Sequence, residues 1–372
     1  MSITSDIIDI NYRRMYEELN AKNEEFEKIL IKLCSGQTLS IKNLVSIDDL
    51  TIDDIKLIFR ITMPFKEAFV LSPQKKIPIL KGKSIINFFA ESSTRTRVSF
   101  ELAGKHLNAD TVNISKSGSS MDKKSETLKD TARTLDAMHA DCIILRTEQA
   151  GTAKQLAEEV SAPVINAGDG WHEHPTQALL DAYTICDVLG TCIDKKVVIV
   201  GDILHSRVAG SLIRLLVKLK ARVVVCAPIT FIPRNIEEVF KVEVSHKFDE
   251  AIKDADVVYG LRVQVERAAS GYIPSIREYS KQYCINKKRL TLAKKDAMVM
   301  HPGPINREVD VTTEVMESSQ SYIEEQVTNG FALRMALLYI LIKLNPKEYP
   351  KNLLKSKKII DKIKEQERKV RT

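Results

Sequence analysis

The 372-residue chain is 44% hydrophobic and 28% charged, the balance of a soluble globular protein with room for two domains, each with its own core. No stretch approaches the ~18 uninterrupted apolar residues of a membrane span, so no membrane partner is expected. Residues 351–372 hold nine Lys/Arg against three Asp/Glu and so carry +6 of the net +7, which leaves the body without a basic face for nucleic acid.

Asp6, Asp9, Glu17, Glu18, Glu24, Glu25 and Glu27 make the N-terminus too acidic for a transit peptide, and it lacks a basic-then-apolar signal pattern. The cytoplasm is the expected compartment. The six cysteines (Cys34, Cys142, Cys186, Cys192, Cys226 and Cys284) form no CxxC pair and read as buried free thiols.

Taken in chain order, Tyr12, Met15, Tyr16 and Leu19 stand at helical spacing, so residues 1–33 are expected to form an amphipathic helix. Thr51, with Asp53 and Asp54 behind it, marks the start of a second helix. Four short apolar runs follow, "SIINFF", "ADTVNI", "DCIIL" and "APVIN", then a helix around "PTQALLDAYTICDVLG". A second set of runs comes next: "KVVIV", "ARVVVC", "ADVVYG" and "DAMVM". Such runs are continuous rather than alternating, which predicts parallel strands covered on both faces and two tandem α/β domains, each a parallel sheet flanked by helices. "NGFALRMALLYILIKL" is an apolar helix that closes the body, and the basic tail reads as a solvated terminal helix.

In open parallel sheets, ligands sit beyond the carboxyl ends of the strands. Six of these junctions carry unusual polar groups. "INFF" runs into Ser92-Ser93-Thr94-Arg95-Thr96-Arg97, "CIIL" ends at Arg146, and "PVIN" leads to "AGDGWHEHPTQ". "VVIV" leads to "GDILHSR", "VVYG" to "LRVQVER", and "MVM" to "HPGPINR". Six coincidences in register predict one cleft between two sheets.

Arg95, Arg97, Arg146, Arg207, Arg262 and Arg307 all fall in these loops, and their planar forks suit carboxylate and phosphate oxygens. Ser93, Thr94 and Thr96 precede a helix, where hydroxyls, backbone N–H groups and the helix N-terminus can converge on one anion. The cleft thus reads as a binder of small polyanions, including a phosphate. "VGDILHSRVAG" lacks the GxGxxG of a dinucleotide site, and no P-loop is present. His172 and His174 are a weak metal signal; His174 gains weight because Pro175, Thr176 and Gln177 follow it at a helix start. No Ser-His-Asp or Cys-His arrangement is legible, which leaves catalysis by positioning and electrostatics.

"SSTRTRVSFE", "GDGWHEHPTQ" and "HPGPINR" resemble the aspartate/ornithine carbamoyltransferases, and "GDILHSR" and "LRVQVER" resemble the aspartate branch of that family. The resemblance spans roughly residues 45–345 with its motifs in order. It implies transfer of the carbamoyl group of carbamoyl phosphate to the amino group of L-aspartate, the committed step of pyrimidine synthesis. Ser93, Thr94, Arg95 and Thr96 would then hold the phosphate, while Thr96, Arg146 and His174 donate to the carbamoyl oxygen. Gln177 would accept from the carbamoyl amino group, and carbonyls around Pro302 and Gly303 would receive that group and the attacking amine. Arg207 and Arg262 would clamp the aspartate carboxylates, with Gln264 beside them.

"SGSSMDKKSETLKDT" resembles the family's mobile loop, so Ser120 and Lys124 are expected to enter a neighbouring subunit's site, within at least a homotrimer. No metal or organic cofactor is implied. A regulatory or pathway-enzyme partner is compatible with the reading but not specified by it. Residues 1–42 form an N-terminal extension on this reading, 43–182 bind carbamoyl phosphate, 183–325 bind aspartate, 326–346 pack back on the first domain, and 347–372 are the tail. Two positions depart from the family pattern. Ser125 replaces a glycine of the mobile loop, and Trp171 is bulkier than expected and is placed beside the phosphate. Ornithine as acceptor is the nearest rival, and Arg262 would repel its side-chain ammonium; a non-catalytic paralogue is the rival of another class.

Overall fold

In the computed structural model of the protein, described for residues 23–71, 75–115, 127–263 and 274–344, two parallel sheets follow one another along the chain. Strands β1 (Ser84–Phe89), β2 (Asp110–Ser115), β3 (Cys142–Thr147) and β4 (Val164–Asp169) build the first, in the order β2-β1-β3-β4. Strands β5 (Lys196–Val200), β6 (Arg222–Cys226), β7 (Glu243–Ser245), β8 (Val257–Gly260) and β9 (Met298–Met300) build the second, in the order β7-β6-β5-β8-β9. Both sheets therefore reverse direction beside their first strand, between β1 and β3 and between β5 and β8. Those switch points open crevices for ligands.

The longer helices are α1 (Asn23–Cys34), α2 (Ile52–Leu71), α3 (Thr94–His106), α4 (Leu128–Ala137) and α5 (Thr152–Glu159). They continue with α6 (Pro175–Leu189), α7 (Arg207–Lys218), α8 (Ile276–Tyr283) and α9 (Ile323–Tyr339), which runs on into a π-turn at Ile340–Leu344. Successive β1 residues point to opposite cores: Ile85 and Phe89 join the larger one, and Ile86 and Phe88 a smaller one with Leu135 and Leu156. Burial on both sides explains the continuous apolar runs.

Thr51 caps α2, since its hydroxyl accepts from Asp54 N at 3.1 Å and the Asp54 carboxylate accepts from Thr51 N at 2.9 Å. Although α9 follows the second sheet, it packs against α2, α6 and α3 of the first. Ile323–Leu344 is the one described helix long and apolar enough to cross a membrane, and most of it is buried inside the protein.

Two strand expectations need correction. The three-residue edge strand β7 was not predicted, because Glu243 and Ser245 break any apolar run. β2 is an edge strand with Val112 53% exposed rather than covered on both faces. Tyr12, Met15, Tyr16, Leu19 and the basic tail lie outside the described residues.

Candidate active site

The carboxyl ends of both sheets face one cavity of about 940 Å³. Its walls are built by the same local device used twice. After β1, the Ser93 hydroxyl accepts from Thr96 N at 3.4 Å and starts α3; after β5, the Ser206 hydroxyl accepts from Ala209 N at 3.1 Å and starts α7. Each cap leaves the first turn of its helix facing the cavity with an arginine aboard, Arg95 on α3 and Arg207 on α7. Unpaired N–H groups and the positive end of the helix dipole therefore point where the arginines point.

The neighbouring strand across each switch point adds one more cation. Arg146 comes from the end of β3 and Arg262 from just after β8, and both line the cavity. Arg146 Nη2 donates to Glu91 Oε1 at 2.9 Å, and Arg207 Nη2 donates to the same oxygen, so Glu91 bridges the two domains. Gly168, at φ +120°, lets both arginines pass; a Cβ there would lie 3.0 Å from Arg207 Nη1 and 3.1 Å from Arg146 Nη1. Arg207 Nη1 is buried without a hydrogen-bond partner. Burial and the nearby Arg262 lower the Arg95 pKa.

The β4–α6 turn delivers His174 and Gln177. Buried Glu173 anchors it, accepting from Ile47 N at 3.0 Å and from the Ser211 hydroxyl at 3.1 Å, while His174 N donates to Ser211 Oγ at 2.8 Å. Burial, and then Arg146, Arg334 and Arg207, hold the His174 pKa well below the usual histidine value. A neutral imidazole can still donate one N–H. Gln177 Nε2 donates to Asp181 at 3.0 Å, which leaves its carbonyl oxygen free to accept.

On the facing wall, Pro302 and Gly303 form a turn against Arg95: a Cβ on Gly303 would lie 3.3 Å from Arg95 Cζ. His301 Nδ1 accepts from Gly303 N at 2.9 Å and fixes the turn. Burial lowers the His301 pKa despite the Asp310 carboxylate 3.5 Å from Nε2.

The cavity thus brings together Ser93, Thr94, Arg95, Thr96, Arg146, His174, Gln177, Arg207, Arg262, Pro302 and Gly303. Ser120, Lys124, Ser125 and Gln264 lie outside the described residues. Arg97 and Arg307 do not line it; Arg307 is exposed and reaches Thr313 at 3.4 Å. Trp171 is not beside the phosphate cradle. It is 51% exposed and stands edge-on to His205, with ring centroids 4.7 Å apart, because the turn after β4 carries it away from the cavity. His172 serves the turn, with Nδ1 3.1 Å from Asp169.

Sequence reasoning missed Glu91, Gln326, Arg334 and, beneath the wall, Asp181. Arg334 is the one charged residue in the apolar run Phe331–Tyr339 of α9, which was a legible signal.

Residues 42–187 match the aspartate/ornithine carbamoyltransferase carbamoyl-P binding domain, and residues 193–341 match the Asp/Orn binding domain of the same family. The chain belongs to the aspartate/ornithine carbamoyltransferase family. Within that family, it is 51% identical over 300 residues to the aspartate carbamoyltransferase catalytic subunit of Desulforamulus reducens, covering 81% of this chain and 95% of that one. The corresponding subunit of Acetivibrio thermocellus is 50% identical over 305 residues, covering 82% and 97%.

Solved members of the family superpose throughout both domains. Aspartate transcarbamoylase from Trypanosoma cruzi, in complex with carbamoyl aspartate and phosphate, gives a TM-score of 0.73 at 30% identity over 80% of this chain and 94% of that one. Ornithine carbamoyltransferase from Pyrococcus furiosus gives 0.72 at 31% identity over 82% and 98%. Fold similarity alone does not separate the two branches.

Proposed function

We propose that this chain is an aspartate carbamoyltransferase, which transfers the carbamoyl group of carbamoyl phosphate to the amino group of L-aspartate and gives N-carbamoyl-L-aspartate and phosphate. One observation carries the choice of acceptor. Among the described residues, the cavity lining holds five arginines (Arg95, Arg146, Arg207, Arg262 and Arg334) and no Asp or Glu. Aspartate brings two carboxylates to such a wall, whereas the side-chain ammonium of ornithine would meet mainly like charge, since Glu91 is already paired with Arg146 and Arg207. The aspartate carbamoyltransferase relatives at about half identity support the same choice.

The phosphate sits at the α3 start, held by Ser93, Thr94, Arg95 and Thr96. Thr96, Arg146 and neutral His174 donate to the carbamoyl oxygen, where negative charge grows as the amine attacks. One such donor is worth ~3 kcal/mol in the transition state. Gln177 accepts from the carbamoyl N–H₂, and the Pro302 and Gly303 carbonyls steer that group and the amine. Arg207 and Arg262, with Gln264, hold the aspartate carboxylates on the second-domain wall. Attack forms the N–C bond, phosphate leaves with the C–O electron pair, and the amine proton passes to an oxygen of that phosphate. The rate comes from holding both reactants in line and dry between the two domains.

The active form is a homotrimer in which Ser120 and Lys124 complete a neighbour's site. Exposed Val98, Leu102 and Val327 beside the cavity supply an apolar strip for a neighbouring copy. Mixing inactive Lys124→Ala with inactive His174→Ala subunits restores activity if sites are shared; no recovery after proven subunit exchange removes that part. All six cysteines are free and buried, which supports a reducing, cytoplasmic setting. The test of the reaction is product formation from carbamoyl phosphate with L-aspartate and, separately, with L-ornithine. Turnover with aspartate alone is expected; turnover with ornithine alone, or with neither, refutes the assignment.

A further inference from the structure

Beneath the Gln177 wall lies a buried carboxylate that does not itself line the cavity. Asp181 stands one turn after Gln177 on α6 and is fully buried. Three elements aim donors at it. Its Oδ1 accepts from Gln177 Nε2 at 3.0 Å and from Gln326 Nε2 of α9 at 2.7 Å; its Oδ2 accepts from the Tyr259 hydroxyl of β8 at 2.6 Å. The positive charge of Arg334, also on α9, faces it.

We propose that Asp181 is a positioning residue for carbamoyl transfer: it turns the Gln177 carbonyl into the cavity and, through Gln326, ties that carbonyl to the His301–Gly303 turn on the opposite wall. The inference rests on the carbamoyltransferase reading of the cavity.

The chemistry of the amide group fixes the orientation. A side-chain amide has a donating end and an accepting end, whereas an ionised carboxylate only accepts. Gln177 must therefore present its N–H₂ to Asp181 and its oxygen to the cavity. The reversed amide would set oxygen against oxygen below the wall and N–H₂ against the carbamoyl N–H₂ above it. Gln326 is held at both ends, because its Oε1 accepts from His301 N at 2.9 Å while its Nε2 donates to Asp181. His301 Nδ1 in turn accepts from Gly303 N at 2.9 Å. One hydrogen-bonded chain thus runs from Gln177 through Asp181, Gln326 and His301 to Gly303. It joins the wall that would receive the carbamoyl group to the wall that would receive the amine. Burial pushes the Asp181 pKa up to about 7 against the opposing pull of Tyr259, Gln326, Gln177 and Arg334, so the acceptor-only form is established on the alkaline side of that value.

A double-mutant cycle in the full chain tests the proposal, reading kcat/KM for carbamoyl phosphate at saturating L-aspartate and pH 8. Asp181→Ala is expected to lower kcat/KM ~10–100-fold, the scale of a misaligned reacting group. In a Gln177→Ala background it should cost clearly less than in the wild type, since the main residue it acts through is gone and only the arm through Gln326 remains. A purely structural role gives losses that multiply in the double variant, and that result overturns the proposal, as does an Asp181→Ala enzyme with wild-type kcat/KM. Should the alanine variant fail to fold, Asp181→Ser keeps a hydroxyl for its neighbours and is read by the same criterion. A wild-type protein inactive with aspartate removes the functional reading and this inference together; wild-type activity with a multiplicative cycle removes this inference alone.

Discussion

Replacing Gly168 with alanine adds a single methyl group at the point where the two domains' arginines cross. The backbone there has φ +120°, a conformation L side chains rarely adopt, and holding it costs ~1–3 kcal/mol. The new Cβ would also lie 3.0 Å from Arg207 Nη1, 3.1 Å from Arg146 Nη1 and 3.3 Å from Arg207 Cδ, where ordinary contact begins at 3.4 Å. Both guanidinium groups must therefore retreat by a few tenths of an ångström, or the turn after β4 must swing away and take His174 with it. Either movement disturbs Glu91, which both arginines share. Misplacements approaching an ångström cost on the order of 100-fold in rate, so Gly168→Ala should lose ~10–100-fold in kcat/KM for aspartate, with a loss of stability of ~1–3 kcal/mol. Steady-state kinetics and urea unfolding measure the two effects separately. A variant within about twofold of wild type in kcat/KM would show that the arginine geometry does not depend on this glycine.

Three further outcomes follow from the same geometry. Arg262→Ala should raise the aspartate KM ~10–100-fold, the worth of one charge-assisted contact, and leave carbamoyl phosphate binding nearly unchanged; an unmoved aspartate KM refutes the clamp. Glu91→Gln removes the shared countercharge of half-buried Arg146 and buried Arg207 and should destabilise the protein by ~1–3 kcal/mol in urea unfolding, whereas unchanged stability would mean the ion pairs contribute nothing net. His174, with its pKa held below the usual value, binds fewer protons folded than unfolded, so the stability it contributes is present at neutral pH and lost as pH falls below ~6.5. His174→Gln should flatten that part of the stability curve, and an imidazole seen by NMR to titrate near the ordinary value would refute the assignment.

Eight of the nine described strands were legible as short runs, seven of them because a parallel strand covered on both faces is apolar at most positions, while β2 lies exposed at an edge. β7 was not, since three residues at a sheet edge need no such pattern. The anion cradle could also be read locally, for capping serines, the helix start and the arginine all lie within a few residues of one another.

Other features are decided by contacts far apart in the chain, which no local pattern encodes. Glu91 meets Arg207 across 116 positions, and Asp181 meets Gln326 across 145. A carboxylate in a basic motif, and another inside an apolar helix, look incidental until folding shows which donors surround them. Arg97 and Arg307 share the motifs of the lining arginines yet do not line the cavity, because Arg97 stands two residues further round α3 than Arg95 and packing turns Arg307 to Thr313. The sequence alone thus determined two parallel sheets, their helices and the groups that meet an anion. Only the tertiary structure decided which of those groups converge and which buried carboxylates hold them, since a buried charge is tolerated only where distant donors satisfy it.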